Sequence, residues 1–399
     1  MIGDWKQGRI KDLIDSLESG VSVNGEDRVP AEDEYAVLKV SAVTYDVFDS
    51  RAAKPILDGE IARAKCNPKA GQILISRASG TANHVGACVY VDRDYPNRYL
   101  PDKLWQTVPK AHGRVNNKWL FYVLSSAKIK SGILNRATGT NIKNITKEEL
   151  LSLAITIPQF PEQTAIANLL STWDEAIEKT ERLIQAKERQ FRCVVEELIY
   201  KSVKYGIWDE VHAGSLFKER KETHRDDLPL LSITNDQGVI PREETNRKDT
   251  SNEDKSKYRR IFPGDLGYNT MRMWQGVSAL AECEGIVSPA YTVCIPGEKL
   301  IPEFVAFLFK TPFMIHRFYR YSQGLTPDTW NLKFRHFSEV KVPLPSIDEQ
   351  RKITEVLSVA QQEIDLLKQL AEKYKTQKRG LMQKLLMGIW RVRTDKEVA

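Results

Sequence analysis

The segment Asn269–Gly276 brings together three residue types that can each make a pair of hydrogen bonds to one base edge. Asparagine, glutamine and arginine pair in this way with adenine or guanine in the major groove of DNA. If a strand continued through the segment, alternation would turn Met271 and Met273 to one face and Arg272 to the other. The alternative is that Trp274 and the two methionines belong to a core. The candidate base-contact residues here are Asn269, Thr270, Arg272, Trp274 and Gln275.

A cluster of cations precedes this segment. Lys255–Arg260 holds four lysine and arginine residues together with Tyr258, and this composition suits contact with phosphate groups. Glu253 and Asp254 come directly before the cluster and reduce its local positive charge. A solvated surface turn is the alternative interpretation, and the sequence leaves both open. The candidate phosphate-contact residues are Lys257, Arg259 and Arg260.

The first half of the chain has polar segments in matching places. Ser76–His84 corresponds to Asn269–Gly276, and the loop Arg136–Asn141 corresponds to Ser322–Thr326. Similar position with different side chains is what we expect of two readers of different sequences, although each loop also fits a turn that merely needs glycine. The additional candidate DNA-contact residues are Ser76, Arg77, Asn83, His84, Arg136, Thr138, Thr140, Asn141, Ser322, Gln323 and Thr326.

Several familiar catalytic motifs are absent from the sequence. It has no Pro-Pro-aromatic motif or Gly-x-Gly loop of an amino-methyltransferase, and no Gly-Lys pair of a phosphate-binding loop. Its histidines are never four residues apart, and Gly-x-Ser-x-Gly is missing. These absences argue against catalysis by this chain, and no metal site is expected.

Composition sets wider bounds. The chain has 399 residues, enough for two or three domains, with 41% hydrophobic residues and a formal net charge of +6. That net charge favours nucleic acid as a binding partner only mildly. Five cysteines without a Cys-x-x-Cys spacing indicate reduced thiols. No apolar run reaches the length of a membrane span and no signal peptide is evident, so we expect a cytoplasmic protein.

Two long helices must position these candidate residues. Pro158…Glu162-Gln163 and Pro345…Glu349-Gln350 each open a long uninterrupted helical pattern, and the two lie 187 residues apart. Apolar residues then recur in alternating steps of four and three, as in a coiled coil. Because the same chain supplies both stripes, we expect the helices to pair with each other and not with another chain. The predicted interface residues are Ile166, Leu170, Trp173, Ile177, Ile184, Phe191 and Leu198 in the first helix, and Ile353, Leu357, Ile364, Leu367, Tyr374, Leu381 and Leu385 in the second.

The repeat extends to the rest of the chain. Strand-like runs, a buried helix and a glycine loop occur in the same order before each long helix, which predicts a tandem duplication. Gly-x-Trp occurs at Trp5, Trp208 and Trp390, and its placement predicts a cyclic arrangement that brings the two ends together. The predicted boundaries are a first domain at 1–157, a spacer helix at 158–205, a second domain at 206–343, a second spacer helix at 344–390 and a tail at 391–399.

These features resemble the specificity subunits of type I restriction-modification systems. The resemblance rests on the two Glu-Gln pairs before long helices, on Tyr268–Trp274 and on Gly285–Tyr291, and it covers essentially the whole chain. It implies an α+β fold: two globular target recognition domains separated by two long helices, packed as an antiparallel coiled coil in a pseudo-two-fold cyclic arrangement. The second domain has a Ser-Pro-Ala-Tyr segment at 288–291, and the first domain has none. The first domain therefore resembles the family in outline only.

The resemblance also implies a function. Each recognition domain would read one half of a split double-stranded DNA target, and the helices would dock two modification (methyltransferase) subunits. Restriction subunits would join them, with one copy of this chain per complex. S-adenosylmethionine, ATP and magnesium would bind the partner subunits, and this chain would hold no cofactor. Two alternatives remain: a coiled-coil scaffold without DNA readout, and an enzyme that modifies DNA by itself.

Overall fold

The computed structural model describes residues 5–44, 47–80, 84–110, 114–139, 142–235, 237–245 and 254–392. The candidate residues Asn83, Thr140 and Asn141 lie outside these ranges. The chain divides into two units, Met1–Thr180 with Leu370–Ala399, and Glu181–Gln369. Each unit therefore contains one globular domain and a stretch of both long helices.

The first unit is built from short strands, three short helices and the beginning of a long helix. Its strands are β1 (Lys6–Arg9), β2 (Ile14–Ser19), β3 (Ala36–Leu38), β4 (Val43–Thr44), β5 (Val47–Phe48), β6 (Ala53–Pro55), β7 (Ile73–Ser76), β8 (Ala78–Ser79), β9 (Cys88–Tyr90), β10 (Arg98–Tyr99), β11 (Leu104–Pro109), β12 (Lys143–Asn144) and β13 (Ala154–Ile157). The largest sheet has the order β2-β11-β7-β9, and a second sheet has the order β10-β3-β6. Its helices are α1 (Asn117–Ser125), α2 (Ala127–Leu134), α3 (Lys147–Leu151) and the start of α4 (Phe160–Val195).

The second unit repeats this plan. After α4 the chain continues through a π-helical turn (Glu196–Tyr200) and α5 (Lys201–Lys204). The strands are β14 (Asp209–His212), β15 (Phe217–Glu219), β16 (Leu231–Ile233), β17 (Val239–Pro241), β18 (Arg259–Ile261), β19 (Leu266–Asn269), β20 (Ser278–Leu280), β21 (Gly285–Val287), β22 (Tyr291–Pro296) and β23 (Lys341–Leu344). The further helices are α6 (Ala213–Leu216), α7 (Pro302–Phe309), α8 (Pro312–Tyr321), α9 (Phe334–Phe337) and α10 (Ile347–Leu386). The sheet order β15-β22-β19-β20 corresponds strand by strand to that of the first unit, and β14 pairs with β23 as β1 pairs with β13.

One predicted element differs from the structure. The sequence of Leu150–Ile157 predicts a single strand that runs into Pro158, but α3 occupies Lys147–Leu151 and the strand begins only at Ala154. A capping box explains the helix, because the Thr146 hydroxyl accepts from the Glu149 backbone N–H and the Glu149 carboxylate accepts from the Thr146 N–H. The signal Thr-x-x-Glu is present in the sequence.

The two long helices pack antiparallel within each unit. In the first unit the start of α4 shares a core with the end of α10, and the Trp173 and Tyr374 rings lie 5.8 Å apart. In the second unit the end of α4 packs against the start of α10, and Lys187 Nζ lies 2.8 Å from a carboxylate oxygen of Glu363. Each predicted interface residue is buried or half-buried. None of the helices in the described ranges is long and apolar enough to cross a membrane.

A buried glutamine joins each globular domain to its long helix. In the first unit the Gln163 Oε1 accepts from the Asn116 backbone N–H at 2.9 Å, and its Nε2 donates to the Pro158 carbonyl at 3.0 Å. Asn116 is the residue that caps α1. Gln163 is almost completely buried, so these bonds hold the start of α1 against the start of α4 out of water.

The second unit repeats the arrangement. The Gln350 Oε1 accepts from the Ile301 N–H, at the start of α7, at 2.8 Å, and its Nε2 donates to the Pro345 and Lys299 carbonyls at 3.0 Å. Gln350 is fully buried. The glutamine of each Glu-Gln pair therefore joins the domain helix to the long helix in both units.

The preceding glutamate of each pair binds a Gly-x-Trp tryptophan. The Trp5 indole N–H donates to Glu162 at 2.9 Å, and the Trp208 indole N–H donates to Glu349 at 3.0 Å. In the first unit Glu162 also receives two hydrogen bonds from Arg391, at 2.6 and 2.9 Å. The stretch after α10 thus meets the stretch before β1, which confirms the predicted proximity of the two ends.

We predict that Gln163→Leu destabilises the first unit by at least about 2 kcal/mol, because the substitution leaves an N–H and a carbonyl unpaired away from water. Urea unfolding followed by circular dichroism measures the change. Gln185→Leu is the matched control, since Gln185 lies exposed on the same helix and its replacement should change stability by less than about 0.5 kcal/mol. Equal unfolding midpoints for the two variants would show that the buried amide bonds contribute nothing.

Candidate nucleic-acid interface

The base-reading segment of the second unit is a turn, not a continued strand. β19 ends at Asn269, whose Oδ1 accepts from the Met271 backbone N–H at 3.0 Å. A short 3₁₀ turn follows at Met273–Gln275 and ends at Gly276 with φ +78°. Met271 is half exposed whereas Met273 is fully buried. The predicted alternation, with both methionines on one face, is therefore wrong, because the asparagine side chain starts a turn at the strand end.

The turn exposes two of the candidate side chains and uses others internally. Arg272 and Gln275 are both exposed, and an Arg272 guanidinium nitrogen donates to the Gln275 Oε1 at 3.3 Å. The Thr270 hydroxyl donates to the Ala290 carbonyl, and the Trp274 indole N–H donates to the Met271 carbonyl. Arg272 and Gln275 thus lie side by side where they could reach a base edge, while Thr270 and Trp274 shape the turn.

Lys310 anchors the far end of this turn, a role that sequence reasoning missed. Its Nζ donates to the Gly276 carbonyl at 2.9 Å and to the Asn235 side-chain oxygen at 2.8 Å. A lysine at a helix end carries no sequence signal for such a contact, because its acceptors lie 34 and 75 residues away along the chain.

The glycine loop of the second unit lies beside the turn. The Leu332 backbone N–H donates to the Thr270 carbonyl at 2.7 Å. The Trp330 ring lies between Trp274 and Tyr319, with ring centroids 5.1 and 4.9 Å away. The structure therefore joins the two polar segments that the sequence singled out separately. The aromatic residues that join them were missed, because their mutual contact spans 56 residues of sequence.

Three candidate residues belong to this loop. Ser322 is half-buried and its hydroxyl donates to the Phe318 carbonyl, so it closes α8. Gln323 and Thr326 are exposed. Their backbone positions are fixed, because Gln323 pairs with Asn331 and the Thr326 N–H donates to the Thr329 hydroxyl.

The first unit brings its two polar segments together in the same way. The Ile145 backbone N–H donates to the Arg77 carbonyl at 3.0 Å, and β8 pairs with β12. Arg77 is partly exposed, and one guanidinium nitrogen lies 3.6 Å from an Asp102 carboxylate oxygen. His84 is half-buried. Arg77 is thus the counterpart, by position, of the turn residues in the second unit.

Ser76 requires a correction. Its side chain is fully buried at the end of β7, and its hydroxyl donates to the Ala78 carbonyl. A side chain without solvent-exposed surface cannot contact DNA directly, so Ser76 leaves the set of candidate contacts. In the glycine loop of the first unit, Arg136 and Thr138 are both exposed. Thr138 pairs with Asn144 in the bridge that closes this loop.

Two of the four cations in the cluster, Arg259 and Arg260, form ion pairs. Arg259 lies 2.8 Å from a Glu219 carboxylate oxygen, and Arg260 lies 2.6 Å from Glu284 and 3.0 Å from Glu222. The hydrogen bond from Arg260 holds the pKa of the Glu222 carboxyl below its usual range. Lys257, by contrast, is exposed and has no ion pair with any described residue.

Lys257 is therefore the strongest phosphate candidate of the cluster, because a cation that already holds a carboxylate has less charge to offer a phosphate. Arg259 and Arg260 lie in β18, where their ion pairs hold the strand against its neighbours. Their predicted role in phosphate contact is not supported by these pairings, and it stays a prediction.

Comparison with known proteins gives a consistent result. The family model for the type I restriction modification DNA specificity domain matches residues 2–188 and 212–375. A putative type I restriction enzyme specificity subunit of Methanocaldococcus jannaschii is 20% identical, with 98% of this chain and 95% of the relative covered.

Two solved structures share the fold. One is the type I restriction-modification S subunit of M. genitalium, with a TM-score of 0.62, 18% identity and 96% of both chains covered. The other comes from work on complex assembly and conformational transition of the type I R-M system. It has a TM-score of 0.50 at 15% identity, and 96% of this chain and 97% of that chain are covered.

We predict that Arg272→Ala weakens binding to the recognised duplex by about 1–3 kcal/mol and relaxes selectivity at one base pair, because a paired base contact is lost.

Lys257→Ala should weaken binding to all sequences alike and reduce the slope of log affinity against log salt by about one, because a phosphate contact is lost. Titrations of matched and singly mismatched duplexes at several salt concentrations measure both effects. Lys218→Ala, at an exposed cation of the same domain, is the control for net charge. An equal loss on every sequence for Arg272→Ala would assign that residue to backbone contact or packing.

Proposed function

Because the chain belongs to the type I restriction modification DNA specificity family, we propose that it is the non-catalytic subunit that reads a two-part DNA target. In this proposal the domain of each unit reads one part. The observation that carries it is the repeated site: in each unit the polar segment after a central strand is hydrogen-bonded to the stretch of chain that leaves a glycine loop.

The two sites share a frame but not their chemistry. The bond from Ile145 N–H to the Arg77 carbonyl corresponds to the bond from Leu332 N–H to the Thr270 carbonyl. Within that frame the first unit presents Arg77, and the second presents Arg272 beside Gln275. Backbone bonds fix the position while side chains vary, which supports two readers with different base preferences.

The long helices carry a repeated set of exposed apolar side chains. Leu169 and Val356 occupy equivalent positions of the two helices, and so do Leu183 and Leu370; all four are exposed. Three of them directly precede a residue of the predicted interface, and Leu370 precedes the buried Ala371. All four therefore lie at the flank of the helix pair. Exposed apolar groups at such positions widen the stripe and offer a surface to a further helix.

The repetition of these positions suggests that the same kind of partner docks twice. We therefore place two methyltransferase subunits on the helix pair, with restriction subunits joining the complex in the cytoplasm. In this proposal one copy of the chain serves each complex. S-adenosylmethionine, ATP and magnesium bind the partner subunits, and this chain contributes the choice of sequence.

Exchange of one domain should change one part of the target. Replacing residues 208–343 with the equivalent domain of a relative is expected to alter one half-site and preserve the other, because each site is built within its own unit. Methylation mapping of DNA from cells that express the hybrid with its methyltransferase partner measures this. A simultaneous change of both half-sites would contradict the assignment of one domain to one half-site. Complexes that form without any sequence preference would favour a scaffold without DNA readout.

A charge at the flanking apolar positions should remove partners one at a time. Leu169→Glu or Val356→Glu is expected to leave complexes with one methyltransferase subunit, and the double variant to leave none, since an unpaired carboxylate is costly in an apolar contact. Native mass spectrometry counts the subunits. Gln185→Glu, at an exposed polar position of α4, is the matched control. Two bound partners in the double variant would place the docking surface elsewhere.

A further inference from the structure

Two matched loops share an unusual construction. Each is closed by a two-residue antiparallel bridge, between Thr138 and Asn144 in the first unit and between Gln323 and Asn331 in the second. Both hydrogen bonds of each bridge are made, at 2.9 Å in the first loop and 2.8 Å in the second. The loops therefore begin and end at fixed points.

A glycine follows the first bridge residue of each loop, at a point where the two sides of the loop come close together. Gly139 has φ +110° and Gly324 has φ +141°, a region that other residues rarely adopt. A Cβ at Gly139 would lie 2.1 Å from the Ile142 carbonyl oxygen, and one at Gly324 would lie 2.7 Å from the Thr329 carbonyl oxygen. Glycine is required because the backbone on the opposite side of the loop comes this close.

Each loop presents an aliphatic side chain to solvent. Leu325, next to Gly324, is 100% exposed, the largest value among the exposed large hydrophobic residues of the described chain. Ile142 in the first loop is 49% exposed. Burial stabilises a leucine side chain relative to exposure in water, and the free protein lacks this stabilisation at Leu325. A loop with bridged ends that holds a leucine outward is suited to a partner that buries it.

The loop of the second unit is tied to the base-reading turn. Leu332, just after the loop, bonds to Thr270, and the Trp330 ring contacts Trp274. A duplex contacted by Arg272 in that turn would therefore meet the neighbouring loop as well. This step rests on the function proposed above.

The surroundings of Leu325 favour DNA over a protein as the partner. Its loop neighbours Gln323, Thr326, Asp328 and Thr329 are polar and exposed, so Leu325 is the one branched aliphatic side chain of this loop. A protein interface usually has a contiguous apolar centre, whereas proteins that unstack DNA insert single apolar side chains between base pairs. Enzymes that modify a base must also take it out of the stack, and any prior unstacking lowers that cost.

We propose that Leu325 is a wedge that enters the base stack within or beside the half-site read by the second unit. It unstacks one base step there, with Gln323 and Thr326 placed to contact the opened base edges. Ile142, the exposed aliphatic side chain of the first loop, has its carbonyl opposite Gly139 as Thr329 has its carbonyl opposite Gly324. It is therefore the counterpart of Thr329, and the wedge is proposed for the second unit alone.

The test uses the full chain assembled with its methyltransferase partner, without methyl donor, on duplexes that carry the mapped target. 2-Aminopurine, whose fluorescence rises when it is unstacked, replaces bases one at a time in and around the second half-site. We expect the wild type to raise fluorescence at one step apart from the base to be methylated. Leu325→Ala should abolish that rise and weaken binding about tenfold, and Leu325→Met should retain most of both. Val29→Ala, at a similarly exposed aliphatic position of the first unit, is the control and should change neither.

Each other outcome overturns the wedge. Unchanged fluorescence and affinity in Leu325→Ala would show that the side chain does not meet DNA. An affinity loss without a fluorescence change, reproduced in the wild type when one thymine is replaced by uracil, would assign Leu325 to a thymine methyl group. Loss of subunit assembly with intact DNA binding would assign it to a protein contact. Failure of the wild type to bind its target selectively would instead refute the proposed function, so the two failures are distinguishable.

Discussion

One buried amide in each unit fixes how the globular domain meets its long helix. Gln163 and Gln350 each bridge the start of a domain helix and the proline carbonyl that precedes the long helix. Both bonds are made where water cannot replace them, so the junction has one favourable geometry and a high cost for any other. A reader of DNA needs this, because base contacts made by a few side chains tolerate little error in orientation. The neighbouring tryptophan–glutamate bonds close the same junction from the other side.

Beyond that junction the two units use different chemistry on the same frame. In the first unit the Tyr122 hydroxyl donates to the Asp174 carboxylate at 2.5 Å, and Asp174 forms an ion pair with Lys378. In the second unit the corresponding place on the domain helix and the long helix holds Phe307 against Phe191, with ring centroids 6.1 Å apart. A polar network and an aromatic contact thus fill equivalent positions. The repeated backbone frame tolerates such divergence, which the proposal of two domains with different base preferences requires.

Much of the fold could be predicted from the sequence, because its signals are periodic or local. The heptad stripe, the repeated Glu-Gln pairs and the paired glycines sufficed for the mixed fold with two domains and an antiparallel helix pair, which the related structures confirm. The candidate site was harder to predict, because its side chains come together from positions that are far apart in the sequence. Arg259 looked available for phosphate, but its partner Glu219 lies 40 residues away. The turn after Asn269 and the packing of Trp330 depend in the same way on contacts that no spacing rule supplies.

The most direct test of the account is a map of methylated bases in DNA from cells that express this chain with its methyltransferase partner. Two separate readers on one chain predict a single motif of two defined parts with unread base pairs between them, and one methylated base in each part. A contiguous motif, or methylation without sequence preference, would contradict the claim that each unit reads its own half of the target.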